Sequence, residues 1–208
     1  MTESDPARRQ VASAELEMRM IGRDTVIKNT FNNETFVFSG APDESGHLGF
    51  DVVLGEGGTG GGNALIHVHP LADETFAVSS GRLKVIMAGK EHFVGAGETI
   101  TVPRGTPHYF ANASAEAMKA TVSFFPPQQH LRFFRNFAML TQQRPQWFSA
   151  KGDPKLLLIA LVLDVYHDHL YLAGPPIWLQ KTAFAILARA ARWRGYALPV
   201  SPCTSDPN

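Results

Sequence analysis

The chain has 208 residues, 44% of them hydrophobic, with 19 basic and 19 acidic side chains that cancel to a formal charge of zero. That length supports one domain with a sizeable core plus an appendage. A balanced charge with no basic stripe argues against nucleic acid as a partner, and a single cysteine, Cys203, excludes an internal disulfide framework and fits a reducing cytoplasm.

Residues 1–24 alternate charged and polar groups without the apolar stretch of an export signal, and are expected to form a flexible N-terminal arm. Short apolar runs punctuated by Gly, Pro, Asn and Asp follow at 25–27, 35–38, 50–54, 65–69 and 118–125, a spacing that predicts an all-β barrel or sandwich. Asn32 with Asn33, and Ala88 with Gly89, read as hairpin turns at the outer edges. The glycine-rich run at 55–62 lacks the Lys-Ser/Thr ending and the following helix of a phosphate cradle, so it reads as a mobile loop leading into the next strand.

That next strand carries the chemistry. A strand points residues i and i+2 to one face, so His67 and His69 send two imidazoles in the same direction. Pro70 ends the strand, and the chain is expected to turn over residues 70–73 and return antiparallel through 74–78, bringing Glu74 opposite the histidines. Gly81 supplies the next turn. Farther on, Pro103, Gly105 and Pro107 force a tight turn just before His108, the fourth candidate ligand. Three imidazoles and one carboxylate suit iron, manganese, nickel, zinc or copper, so one divalent transition metal ion is expected at His67, His69, Glu74 and His108.

Residues 61–81 resemble the first cupin motif, Gly-x5-His-x-His-x4-Glu-x6-Gly, at Gly61, His67, His69, Glu74 and Gly81. Gly97, Pro103, Gly105, His108 and Asn112 match the second, Gly-x5-Pro-x-Gly-x2-His-x3-Asn. The resemblance covers roughly residues 25–127. It implies a mainly β protein, a cupin double-stranded β-helix or jelly-roll barrel with the metal inside, completed here by a C-terminal α-helical extension. Leu65, Phe76 and Val78 share the inward phase of the ligands, as does Phe110 with His108, and these four are expected to line an apolar substrate pocket.

After Pro126 and Pro127 the period becomes helical. Leu131, Phe134, Phe137, Ala138, Met139 and Leu140 make one apolar stripe. A second helix is predicted from Asp153 as N-cap and Pro154 at the first helical position, running to Leu163, and a third from about Ile177 to Trp193. The expected organisation is an arm at 1–24, a barrel at 25–127, a helical extension at 128–195 and a flexible tail at 196–208. The extension's His167-Asp168-His169 reads as a helix-end turn rather than a second metal site, because residues two apart on a helix diverge by about 200°. His47, His92 and His130 have no framing residues and are assigned no role.

The expected function is a metal-dependent enzyme acting on a small, largely apolar, oxygen-bearing molecule. The resemblance implies dioxygenase-type oxidoreductase chemistry, or isomerase or lyase chemistry through an enolate stabilised on the metal, with Glu74 doubling as proton acceptor. The alternative is a non-catalytic, metal-bearing module that binds a small molecule; a sugar-phosphate isomerase is a weaker third reading, because the barrel offers no evident inward cations for the phosphate. Ile66 and Val68 turn their apolar side chains away from the metal and need cover from the apolar stripes of the helical tail, the N-terminal strand or a second subunit; a homodimer is predicted in which the tail helices pack on a barrel or on each other. No run is long enough for a transmembrane segment, and the protein is expected in the cytoplasm.

Overall fold

The computed structural model describes residues 25–38, 48–59 and 65–200. The predicted N-terminal arm, His47, Gly61, part of the glycine-rich loop and the end of the tail with Cys203 lie outside the described residues. Two antiparallel sheets form the barrel. The first holds β1 (Thr25–Asn29), β2 (Glu34–Phe38), β3 (Leu48–Leu54), β10 (Met118–Phe125), β5 (Asp73–Ser80) and β8 (Thr99–Val102), in that spatial order. The second holds β11 (Tyr171–Leu172), β4 (His67–Val68), β9 (His108–Asn112), β6 (Arg82–Met87) and β7 (Lys90–Gly95).

Period-two alternation decides which way each strand faces. In β10, Met118, Ala120, Val122 and Phe124 are fully buried while Lys119, Thr121 and Phe125 are exposed. The inward phenyl rings of Phe36, Phe38, Phe50 and Phe124 gather into one aromatic core, with Phe50 and Phe134 only 5.0 Å apart between ring centres.

The turns follow the local chemistry. Ala88 and Gly89 form the two-residue turn between β6 and β7, both at positive φ (50° and 77°) as a hairpin with right-twisted strands requires. Asn33, at φ 55°, closes the other predicted hairpin, but that connection spans the four residues 30–33 rather than two. Gly81 joins β5 to β6 at φ 75°, where a Cβ would come within 2.6 Å of the Met118 Cβ, so no other residue fits without movement.

One expected pairing is corrected. β4 and β5 do not form a hairpin: β4 pairs with β9 and β11, whereas β5 pairs with β8 and β10 in the other sheet. Residues 69–72 cross from one sheet to the other, so Glu74 faces the histidines across the barrel interior instead of along one ladder.

Beyond the barrel, α1 (His130–Gln143) follows β10 and lies beside β1 and the aromatic core. α2 (Leu156–Val165) and α3 (Ile177–Trp193) pack on each other through Leu161, Ala188 and Ala191. The second helix starts two residues later than its predicted first turn, after Lys155 and with no side-chain cap. Asp153 is engaged elsewhere: its N–H donates to Ser149 Oγ (3.1 Å) and its carbonyl accepts the Ser149 N–H (2.8 Å).

The extension is stitched into the barrel rather than hung from it. Its β11 pairs with the ligand strand β4, Tyr171 opposite Val68 and Leu172 opposite His67. Tyr196 stacks on Trp147 at 4.2 Å, and the Val200 N–H donates to Asn136 Oδ1 (2.7 Å). No helix among the described residues is long and apolar enough to cross a membrane.

Candidate metal centre

His67, His69, Glu74 and His108 converge inside the barrel, each buried, with ligand atoms all within 4.8 Å of one another. Strand phase accounts for the convergence. His67 lies directly opposite His108 in the β4–β9 pair, His69 follows two residues on, and Glu74 enters from β5.

The turn of the second motif clamps the first. At Gly105, φ 76° turns the chain so that its N–H donates to the His69 carbonyl (2.8 Å). The neighbouring Arg104 N–H donates to Asp73 Oδ1 (2.8 Å), and the Arg104 guanidinium donates from Nε to Oδ1 (3.1 Å) and from Nη2 to Oδ2 (3.0 Å). Both chain segments that carry first-motif ligands are therefore tied to the loop that presents His108. Asn112 ends that strand by donating from Nδ2 to the carbonyls of Leu54 (3.0 Å), Gly55 (2.9 Å) and Glu116 (2.7 Å).

Each imidazole is oriented through Nδ1. His67 Nδ1 lies 2.8 Å from the Leu65 carbonyl, His108 Nδ1 2.8 Å from that of Thr106, and His69 Nδ1 2.5 Å from that of His169. A carbonyl only accepts, so each ring carries a proton on Nδ1; in His67 and His69 the Nε2 lone pair is turned toward the shared centre, while the Glu74 carboxylate beside His108 Nε2 favours a second proton there. His108 Nε2 meets Glu74 Oε2 at 2.6 Å, and His69 Nε2 lies 3.7 Å from the same oxygen.

Burial pushes His67 down to about 3, with the neighbouring His108 adding to the effect, and takes His69 well below its usual value. For His108 burial pulls the same way, but the hydrogen bond and charge of Glu74 outweigh it and hold the imidazole above its usual value. Two atoms, His69 Nε2 and Glu74 Oε1, are buried without a hydrogen-bond partner. Two neutral imidazoles, His67 and His69, beside a buried carboxylate, and two orphaned polar atoms at the centre, are what a bound divalent cation would satisfy, with His108 Nε2 giving up its proton to ligate. The donor set fits a metal.

Beside this cluster opens a cavity of about 50 Å³ between the barrel mouth and the extension. Leu65, His67 and Phe110 line it from the barrel; Phe133, Phe137, Ile159, Val162 and Leu163 are among those that line it from the helices, and among the described residues His67 is its one polar lining residue. Of the four residues predicted to line a pocket, Leu65 and Phe110 are there. Phe76 and Val78 are not: both are buried in the core, Phe76 packed behind Phe110 with ring centres 4.7 Å apart.

Two further histidines gather here that had no sequence framing. His130 is fully buried, with ring centre 5.0 Å from that of His69, and burial pushes it down to about 3. His169 sits in the turn after α2 as expected of a helix end, yet it is buried rather than solvated, while His167 is exposed. No short-range spacing could reveal these contacts, because the partners are 61 and 100 residues apart.

The family model of the cupin domain matches residues 52–124. An uncharacterised protein of Methanocaldococcus jannaschii is 29% identical over 70 residues, which are 34% of this chain and 56% of that protein, so the match spans about half the length of the curated relative. Among solved structures, the cupin domain of Cnp3 from Schizosaccharomyces pombe is 14% identical with a TM-score of 0.40, over 53% of this chain and 73% of that one. A sugar phosphate isomerase of the cupin superfamily from Silicibacter pomeroyi is 23% identical with a TM-score of 0.37, over 44% of this chain and 59% of that one.

Proposed function

The match to the cupin family model over residues 52–124 puts this chain in the cupin superfamily, and from that premise we propose that it is a metal-dependent enzyme acting on a small, largely apolar, oxygen-bearing molecule, with Glu74 as proton acceptor. The carrying observation is the juxtaposition of a buried three-histidine, one-carboxylate cluster with a cavity whose single polar lining residue among the described residues, His67, belongs to that cluster. His67, His69, Glu74 and His108 would hold one divalent ion of iron, manganese, nickel, zinc or copper. Such an ion supplies Lewis acidity toward a substrate oxygen, which serves isomerase, lyase or dioxygenase-type reactions alike.

The chain's own groups supply the rest. In this reading the Glu74 carboxylate, 2.6 Å from His108 Nε2 through Oε2, takes a proton from a hydroxyl or an acidic C–H held at the centre. Leu65, Phe110 and the helix residues exclude water, which strengthens every charge interaction at the centre. Among the described residues no charged side chain lines the cavity, so a phosphate or carboxylate would be desolvated there without compensation from them. A neutral, compact molecule such as an enolisable ketone or a phenol suits it better than a sugar phosphate.

The test is Glu74→Gln, which keeps shape and a coordinating oxygen but lowers basicity. Turnover of enolisable and phenolic compounds, followed by oxygen uptake and product analysis, should be lost while metal content is largely kept. Full turnover in Glu74→Gln would exclude the base role. Tight binding with no conversion by the wild-type protein across a broad screen would replace the enzyme by a non-catalytic binding module.

A further inference from the structure

His67 and His108 are oriented by carbonyls two residues upstream, Leu65 and Thr106, in the segments that lead into their strands. His69 is held differently. Its Nδ1–H points at the carbonyl of His169, 100 residues along the chain, in the turn that follows α2. His130, the first residue of α1, closes the arrangement: its Nε2 lies 3.3 Å from His69 Nδ1 and 3.2 Å from the His169 carbonyl oxygen. The His130 ring is itself fixed, stacked on Phe124 at 4.1 Å and 4°, with Nδ1 2.9 Å from the Pro127 carbonyl. His169 is fixed in turn, since its Nε2 accepts the Gln129 N–H (2.9 Å) and its Nδ1 donates to the His167 carbonyl (3.0 Å).

Two segments of the extension, at 127–130 and 167–169, thus meet behind one ligand of the barrel. All three rings are buried. Water therefore cannot substitute for a missing partner, and the orientation of His69 depends on where the extension puts the His169 carbonyl and the His130 nitrogen. We infer that the helical extension is a structural part of the metal centre, with His130 as a positioning residue that holds His69 in its ligating orientation and tautomer. The inference rests on the metal reading above.

The test uses metal alone. Zinc affinity is measured by chelator competition on the wild-type protein, His130→Phe, His130→Gln and an exposed control, His167→Phe. The Phe variant keeps the ring stacked on Phe124 and removes both nitrogens; Gln restores a polar group near His69. The expected result is a fall of about 10- to 100-fold for His130→Phe, recovery of most of the affinity in His130→Gln, and no change in His167→Phe. Side-chain ¹⁵N NMR of the metal-free proteins gives a second readout that a merely structural role would not move: His69 should carry its proton on Nδ1 in the wild type and become a mixture of tautomers in His130→Phe.

Zinc affinity in His130→Phe within twofold of wild type overturns the inference. So does a wild-type His69 that carries its proton on Nε2, a measurement that stands even if the Phe variant does not fold. If the wild-type protein takes up no metal, the metal reading fails, and the NMR result alone decides whether His130 positions His69.

Discussion

Stripped of metal, the protein should lose stability steeply in mild acid. His67, His69 and His130 are buried as neutral imidazoles, His67 and His130 pushed down to about 3 and His69 well below the ordinary 6.5. The unfolded chain protonates all three near 6.5, so stability is fully present above that pH and falls as pH drops toward the folded values. Each group costs about 1.4 kcal/mol per pH unit. Together the three remove about 4 kcal/mol per unit, or roughly 6 kcal/mol by about pH 5, comparable with the whole stability of a typical domain at about 5–15 kcal/mol.

His108 has the opposite sign. Its folded value is raised by Glu74, so its contribution is complete below 6.5 and is lost only as pH rises through that folded value; it cannot offset the acid loss. Urea unfolding of chelator-treated protein, followed by circular dichroism from pH 6.5 down to about pH 5, measures the slope. A metal-free stability that stays flat across that window would falsify the assignment of these three histidines as neutral and buried.

Two more outcomes are expected. Ile159→Trp, which fills the cavity from α2 at a residue away from the four ligands, should weaken binding of a small apolar ketone or phenol at least tenfold, on the order of 1.4 kcal/mol, while leaving metal content intact; unchanged binding by calorimetry would place the substrate elsewhere. Light scattering should give the mass of two 22.8 kDa chains, since Ile66 is 49% exposed and Trp178 and Trp193 are 69% and 84% exposed on α3; the mass of one chain would remove the homodimer from the account.

Much of the barrel and its ligand cluster was legible in the residues because each ligand travels with the turn that aims it. Gly105 precedes His108 by three residues, and the same loop binds the His69 carbonyl and Asp73, so local spacing encodes a long-range contact. The β4–β5 hairpin was misread because Pro70 signals that a strand stops, not which sheet receives the next one. Phe76 and Val78 have the inward phase of the ligands, but a barrel interior is layered, and their layer is filled by packing such as Phe76 on Phe110.

The extension was legible as three helices and illegible as part of the site. Its contribution runs through one backbone carbonyl, at His169, and one ring, at His130, and neither carries a sequence signature. The Asp153 cap failed for a local reason: the Ser149–Asp153 turn offers that backbone an alternative to the helix, and the first helical turn waits until Leu156.

The central claim is that four buried side chains hold one divalent metal ion, and elemental analysis before and after single substitutions tests it most directly. Wild-type protein grown with trace metals, or reloaded and dialysed, should carry about one transition metal ion per chain, and His69→Ala and His108→Ala should carry almost none while remaining folded. A wild-type chain that takes up no metal from any of iron, manganese, nickel, zinc or copper, or His69→Ala and His108→Ala chains that still carry about one ion each, would contradict it.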